Sequence, residues 1–269
     1  MVNLMVNDLE SNIEELLSSP GGKILHEVSE LMRKRARIFA VFFALVFMIG
    51  YPLAGEFIAW LVSEDTGFRP SADTDVIVLH PVELILLKVR ISVYLSIILT
   101  GIVFSVEMAR LLAKSETFKE RMKEADLKLP NPNLLAIIIA ISSVILMSLG
   151  TFYAIEYLVP FLLDYLAKDA AAADLSTQWT LTNFSGFISS LVFASALGFQ
   201  VPIIVLLLLK FEIVGKSDLT KYRRHIWFSS VILGAFLSPP DPLSLLLVAA
   251  PMIILFEFSL LLHKVIRRL

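Results

Sequence analysis

The chain has 269 residues, of which 57% are hydrophobic and 18% charged, with a formal net charge of −2. Soluble domains are roughly 45–50% apolar and about 25% charged, and the mean hydropathy of +0.79 points the same way. Because the excess is gathered into long uncharged stretches, a soluble globular enzyme and any disordered or fibrous class are excluded, and an integral membrane protein remains. The absence of cysteine removes disulfides, thiolate metal sites and cysteine nucleophiles.

The N-terminal segment sets Glu10, Glu14 and Glu15 against Leu9, Ile13, Leu16 and Leu17. That pattern predicts a short amphipathic helix on the membrane surface, ended by Pro20-Gly21-Gly22. Uncharged runs follow at 38–55, 91–106, 129–155, 175–209, 226–240 and 242–256. A helix needs about 20 apolar residues to cross a hydrocarbon core of about 30 Å, and flanking residues bring the first four runs to that length. The run at 38–55 is longer than a secretory h-region and no clear small-x-small site follows it, so it predicts a retained helix. The last two runs form one block broken by Ser238-Pro239-Pro240-Asp241-Pro242. Three prolines and an aspartate cannot continue a helix, so the block reads as two short helices joined by a tight turn.

The expectation is an all-α integral membrane protein with six transmembrane helices, the last two short. The spans fall near 36–62, 82–112, 133–163, 183–209, 226–238 and 243–263. Residues 1–35 form an N-terminal segment, 36–263 a single membrane domain and 264–269 a tail. Nineteen of the 23 Lys and Arg lie before the first span, after the second, after the fourth and after the sixth. Basic residues gather in cytoplasmic loops, so both termini are placed in the cytoplasm and the acid-rich loops outside.

Several absences narrow the function. There is no Gly-rich phosphate loop and no H-E-x-x-H, and the four His are far apart. Hence no cofactor, no metal, no nucleic-acid partner and no enzymatic activity are expected. No inverted repeat is evident, which disfavours a repeat-built transporter. Within the spans, Glu257 lies about ten residues from the cytoplasmic end, a depth that hinders snorkelling and predicts a bundle-interior or functional role. Gln200 is mid-span and can either bond between helices or face a wet cavity. Glu83 follows Pro81 where a carboxylate can cap the second span's N-terminus. Lys88 and Arg90 can pair with Glu83 or reach the outer interface, and Glu56 and Glu156 read as interfacial.

The C-terminal third carries Gly198-Phe199-Gln200-Val201-Pro202, a basic loop with Tyr222-Arg223-Arg224, then Ser238-Pro239-Pro240-Asp241, Ala250-Pro251-Met252 and Phe256-Glu257. This succession resembles the TatC family, the multi-span core subunit of the twin-arginine protein translocase. That family shows F-E-x-P, a basic loop, (S/T)-P-P-D and P-x-x-x-x-(F/Y)-E in the same order. Upstream, Leu79-His80-Pro81-Val82-Glu83-Leu84 with Lys88 resembles its L-x-P-x-E-x-F approach to span two. His26, Glu30-Leu31 and Arg33-Lys34-Arg35 resemble its H-L-x-E-L-R-x-R approach to span one. The chain departs from the pattern at Gln200, which replaces a Glu, at Met32, which replaces an Arg, and in lacking F-x-x-P-G-L.

The resemblance implies a receptor rather than an enzyme, set in the cell (inner or cytoplasmic) membrane. Its expected partners are twin-arginine signal peptides of folded cargo, single-span TatA/TatB-type subunits, the lipid bilayer and further copies of itself, with export driven by the proton-motive force. A guanidinium pair needs carboxylates in bidentate range. Glu27, Glu30, Glu107, Glu116, Glu120 and Glu124 are available on the implied segments, and Glu30 and Glu120, with Arg33 beside the former, match family positions best. These acids can equally serve to neutralise the surrounding Lys and Arg. A small-molecule or ion transporter using Glu257, Gln200 and the outer acids is the alternative.

Overall fold

In hydrocarbon every backbone N–H and C=O must be paired inside the protein, and uncharged runs of about 20 residues achieve this as α-helices. The computed structural model describes residues 20–63, 68, 76–115, 119, 131–173, 179–211, 213–237 and 242–266. In chain order these form α1 (Pro20–Val62), β1 (Val76–Ile77), α2 (Val82–Lys114), α3 (Pro132–Tyr153), α4 (Val159–Ala172) and β2 (Trp179–Thr180). They continue with α5 (Leu181–Gly198), α6 (Val201–Lys210), α7 (Lys216–Lys221), α8 (Arg223–Leu237) and α9 (Pro242–Ile266). The expected N-terminal amphipathic helix lies outside the described residues, as do Glu120, Pro239, Pro240 and Asp241.

Among the described residues five stretches are long and apolar enough to cross a membrane: Met32–Val62, Val82–Lys114, Pro132–Ala172, Leu181–Lys210 and Pro242–Lys264. The fifth of the six expected spans corresponds to α8, whose 15 residues cover only about 22 Å at 1.5 Å each. Two boundaries differ from expectation. Pro20, Gly21 and Gly22, expected to interrupt the helix, are the first described residues of α1. The third stretch runs to Ala172, past the expected end at 163, because Ala-rich sequence favours helix and Lys168 bonds Asp164 one turn back at 2.6 Å.

Prolines explain where the helices deviate. Ahead of Pro160 the backbone widens into a π-turn over Ala154–Leu158, with the Val159 N–H reaching back to the Ala154 carbonyl. Ahead of Pro202 the chain turns at Phe199-Gln200, separating α5 from α6. Pro251 sits inside α9 and has no N–H to offer the Leu247 carbonyl four residues back. That carbonyl instead accepts from the Tyr153 hydroxyl of α3 at 3.1 Å. Tyr153→Phe is therefore expected to cost about 1–2 kcal/mol, the penalty of an unmade bond in an apolar setting. Thermal denaturation in detergent checks it, and an unchanged midpoint would mean that the Leu247 carbonyl finds another donor.

Packing divides the bundle along its length. At the end where the basic residues gather, Met32, Leu112, Leu135, Ile139, Leu207 and Phe211 form one core. At the acidic end, Leu61, Leu158, Leu162, Phe184, Ile188 and Leu191 form another. α5 is buried on nearly every side and is the central element. Lipid tails are as apolar as leucine, so close contact rather than hydrophobic burial joins such helices, and small residues permit it. Serines on α2 and α5 remain compatible with this packing because Ser92, Ser96 and Ser189 return their hydroxyls to carbonyls four residues back at 2.6–2.7 Å. Midway, α1, α2, α3 and α5 enclose a groove of about 280 Å³, with Gly50, Phe57, Tyr94, Met147 and Val192 in its wall. On the outside, Met48, Ile138, Ile145, Phe236 and Ile254 are among many apolar side chains left exposed, the surface a lipid environment requires. β1 and β2 pair in parallel at the acidic end, Val76 with Trp179 and Ile77 with Thr180.

Candidate functional site

Charged and polar side chains concentrate at three levels of the bundle. At the basic end, α1 leads in from the polar side with Glu30 and Arg33 both exposed, about one turn apart. Two residues beyond Arg33, Arg35 donates to Oε1 of Glu107 on α2. Arg110 reaches the other oxygen of the same carboxylate at 3.4 Å. Glu107 thus ties α1 to α2 and carries two guanidiniums. Glu120, the expected partner of Glu30, belongs to the segment outside the described residues.

At mid-depth Gln200 has a partner on a neighbouring helix. Its side chain is half-buried at the α5–α6 turn, and Nε2 donates to the Ser143 carbonyl of α3 at 3.2 Å. It bonds between helices. The hydroxyls of Ser143 and of Ser195 on α5 are buried with no hydrogen-bond partner among the described residues. The Pro202 break places Gln200 here, since an unbroken helix would carry the amide at a different angle.

Glu257 has the partners its depth demands. Arg223, the first residue of α8, donates Nε to Oε1 at 2.9 Å and places Nη2 2.7 Å from Oε2. This is the fork-to-fork geometry that makes arginine–carboxylate pairs strong and directional. Trp227, one turn along α8, adds an indole N–H to Oε1 at 3.0 Å, and the Arg223 guanidinium lies 5.4 Å from the Trp227 ring centre. The three side chains fasten α8 to α9. Neither Arg223 nor Trp227 is singled out by the sequence as a partner.

The acidic-end residues are arranged differently from the expectation. Pro81 forms the turn into α2 and Glu83 stands in its first turn, yet no side-chain capping bond forms, and Oε2 of Glu83 is buried with no hydrogen-bond partner among the described residues. Among the described residues neither Lys88 nor Arg90 pairs with Glu83. Lys88 lies 6.0 Å from the Tyr51 ring centre, and Arg90 donates to the Tyr94 hydroxyl at 2.7 Å. Tyr94 in turn stacks on Phe193, ring centres 4.2 Å apart. Among the described residues no group of three or more His, Asp or Glu could hold a metal.

A bundle of long apolar helices around a buried central helix, basic at one end, defines a multi-pass helical membrane protein. Residues 27–251 match the model of the family described as Sec-independent protein translocase protein (TatC), and the chain belongs to that family. It is 24% identical over 241 residues to the Sec-independent protein translocase protein TatCy of Bacillus subtilis, covering 90% of this chain and 88% of that one. It is 30% identical over 126 residues to TatC of Escherichia coli, covering 46% and 48%. Its fold matches a crystal structure of the twin arginine translocase receptor TatC with a TM-score of 0.68, at 21% identity over 89% of this chain and 99% of that one. Family membership makes it a component of the Sec-independent protein translocase, and the relatives bear the names of transport components rather than catalysts.

Proposed function

We propose that this chain is the receptor core of a twin-arginine translocase, binding twin-arginine signal peptides at its basic end and organising export of folded proteins. The observation that carries the reading is the family match over 27–251, supported by exposed Glu30 and Arg33 on the lead-in to the first span. In this reading α8 is a sixth, short span, so 36–263 is one six-helix membrane domain with cytoplasmic segments 1–35 and 264–269. Both termini lie in the cytoplasm of a cell (inner or cytoplasmic) membrane, following the basic-residue asymmetry. Single-span TatA/TatB-type subunits and further copies of the chain are its partners, and the proton-motive force supplies the work.

Glu30 and Glu120 are assigned to the guanidiniums of the peptide, and Arg33 to the same signal-peptide site. Gln200 and Glu257 hold the bundle, and Pro81, Glu83 and the Pro239-Pro240-Asp241 turn shape the outer face. Arg223 is paired with both oxygens of Glu257, which supports a structural role for that carboxylate in fastening α8 to α9. The Glu30→Ala/Glu120→Ala double variant is expected to lower crosslinking to a twin-arginine peptide about tenfold or more, the scale of a lost charge-assisted bond, with protein levels held. Unchanged crosslinking would remove these residues from the site. Retained export of twin-arginine cargo after deletion of the chain would overturn the function itself.

A further inference from the structure

Glu107 has an arrangement that the family match does not call for, and its meaning depends on the chain being a receptor for signal peptides. Its side chain is 15% exposed, while Arg35 and Arg110, which approach it from α1 and from one turn along α2, are 45% and 42% exposed. The carboxylate is therefore the recessed, fixed partner and the guanidiniums are the solvent-facing, movable ones. The Arg110 contact is long at 3.4 Å, and its Nε is buried with no hydrogen-bond partner among the described residues. An ionised carboxylate offers about four lone-pair sites and accepts planar forks. Here is one, at the basic end, already accommodating two guanidiniums from two directions.

We propose that Glu107 is a specificity-determining residue for the twin-arginine peptide, and that Arg35 occupies it in the unloaded protein as an internal competitor. An arginine of the peptide takes the place of Arg35 on Oε1, and Arg35 returns to water. The recessed carboxylate stays paired throughout the exchange, so no step leaves a desolvated charge alone. Lysine presents a single point charge without the planar fork, so it competes poorly with the arginine already in place. The occupied site therefore rejects paired lysines more strongly than an open carboxylate would. A tie between α1 and α2 with no role in binding makes the opposite forecast, in which losing either partner has the same sign.

The test uses the full-length protein in lipid nanodiscs and a fluorescent synthetic twin-arginine signal peptide, alongside its Lys-Lys version. Glu107→Gln is expected to weaken the Arg-Arg peptide about tenfold, the scale of one charge-assisted bond, and to shrink its preference over Lys-Lys. Arg35→Gln is expected to tighten the Arg-Arg peptide about three- to tenfold, because the competitor for a charged bond is gone. The Arg35→Gln/Glu107→Gln double variant, which removes both halves of the α1–α2 pair and leaves Arg110 in place, should bind as weakly as Glu107→Gln. Arg35→Gln binding no tighter than wild type overturns the proposal, as does Glu107→Gln with an unaltered Arg-Arg preference. If the wild-type protein shows no Arg-Arg preference at all, the signal-peptide reading fails and this inference falls with it. If the preference depends on Glu30 and Glu120 but not on Glu107, the inference fails alone.

Discussion

Gly150→Leu is expected to leave no folded protein. A Cβ at Gly150 of α3 would stand 2.7 Å from the Ser195 carbonyl oxygen, 3.0 Å from Phe199 Cγ and 3.1 Å from Ala196 Cα. Two of those three atoms are backbone of α5, the buried central helix, so no side chain can swing aside to make room. Alanine alone would force the helices apart at a cost of about 1–3 kcal/mol, the usual penalty of overpacking, and leucine well beyond it. Separation would also stretch the Gln200 bond to Ser143, which bridges the same two parts of the bundle. Gly101→Leu is the control, since nothing lies within 4 Å of its Cβ position. Yield and thermal denaturation in detergent read both variants. A Gly150→Leu protein melting within a few degrees of wild type would refute the close approach of α3 and α5.

The second large effect is expected at Arg223. Removing it leaves Glu257 with one indole donor and a charge recessed between α8 and α9. Breaking a fully buried pair costs about 3–5 kcal/mol. With side chains 43% and 28% exposed, solvent reduces that, and about 2 kcal/mol is expected for Arg223→Ala. Replacing both partners differs from removing one: Arg223→Leu/Glu257→Leu should recover most of the loss, because apolar replacement of both partners is close to neutral. Thermal midpoints of the two singles and the double give the coupling directly. Additive losses in the double variant would show that the two residues act independently.

The Arg223–Glu257 pair also shows how far the sequence alone can be taken. Each residue lies seventeen positions from Pro240, so in an antiparallel hairpin of straight helices they meet, and the prolines place the turn at 238–242. Until that symmetry is used, Arg223 counts only as a loop charge. Arg35 and Glu107 come close to the same rule: they are centred on residue 71, one residue from the midpoint of the segment between α1 and α2. Contacts between hairpin neighbours are legible because helix geometry is regular and the turns are marked by proline. Gln200 is another matter. Its bond to Ser143 joins α3 to the α5–α6 turn, and depends on the angle that Pro202 imposes and the closeness that Gly150 permits. Neither is a periodicity, so the sequence leaves both of its readings open. Glu83 illustrates the limit of local rules: its place in the first turn is legible, but whether its oxygens meet a backbone N–H depends on packing around α2.

The parallel pairing of Val76 with Trp179 and Ile77 with Thr180 has a consequence for the order of assembly. Parallel strands cannot be joined by a tight turn, and here about a hundred residues, with α2, α3 and α4 among them, intervene. Closing so long a loop has a substantial entropic cost of its own, so two residue pairs could not hold it unaided. The pairing must wait until the intervening helices have been inserted and brought Trp179 back beside the start of α2. It is a late event, a seal made after the first three membrane-crossing stretches are in place. A chain arrested before Thr180 emerges would hold α1 and α2 together while leaving β1 without its mate, and protease sensitivity near Ile77 would report when that seal forms.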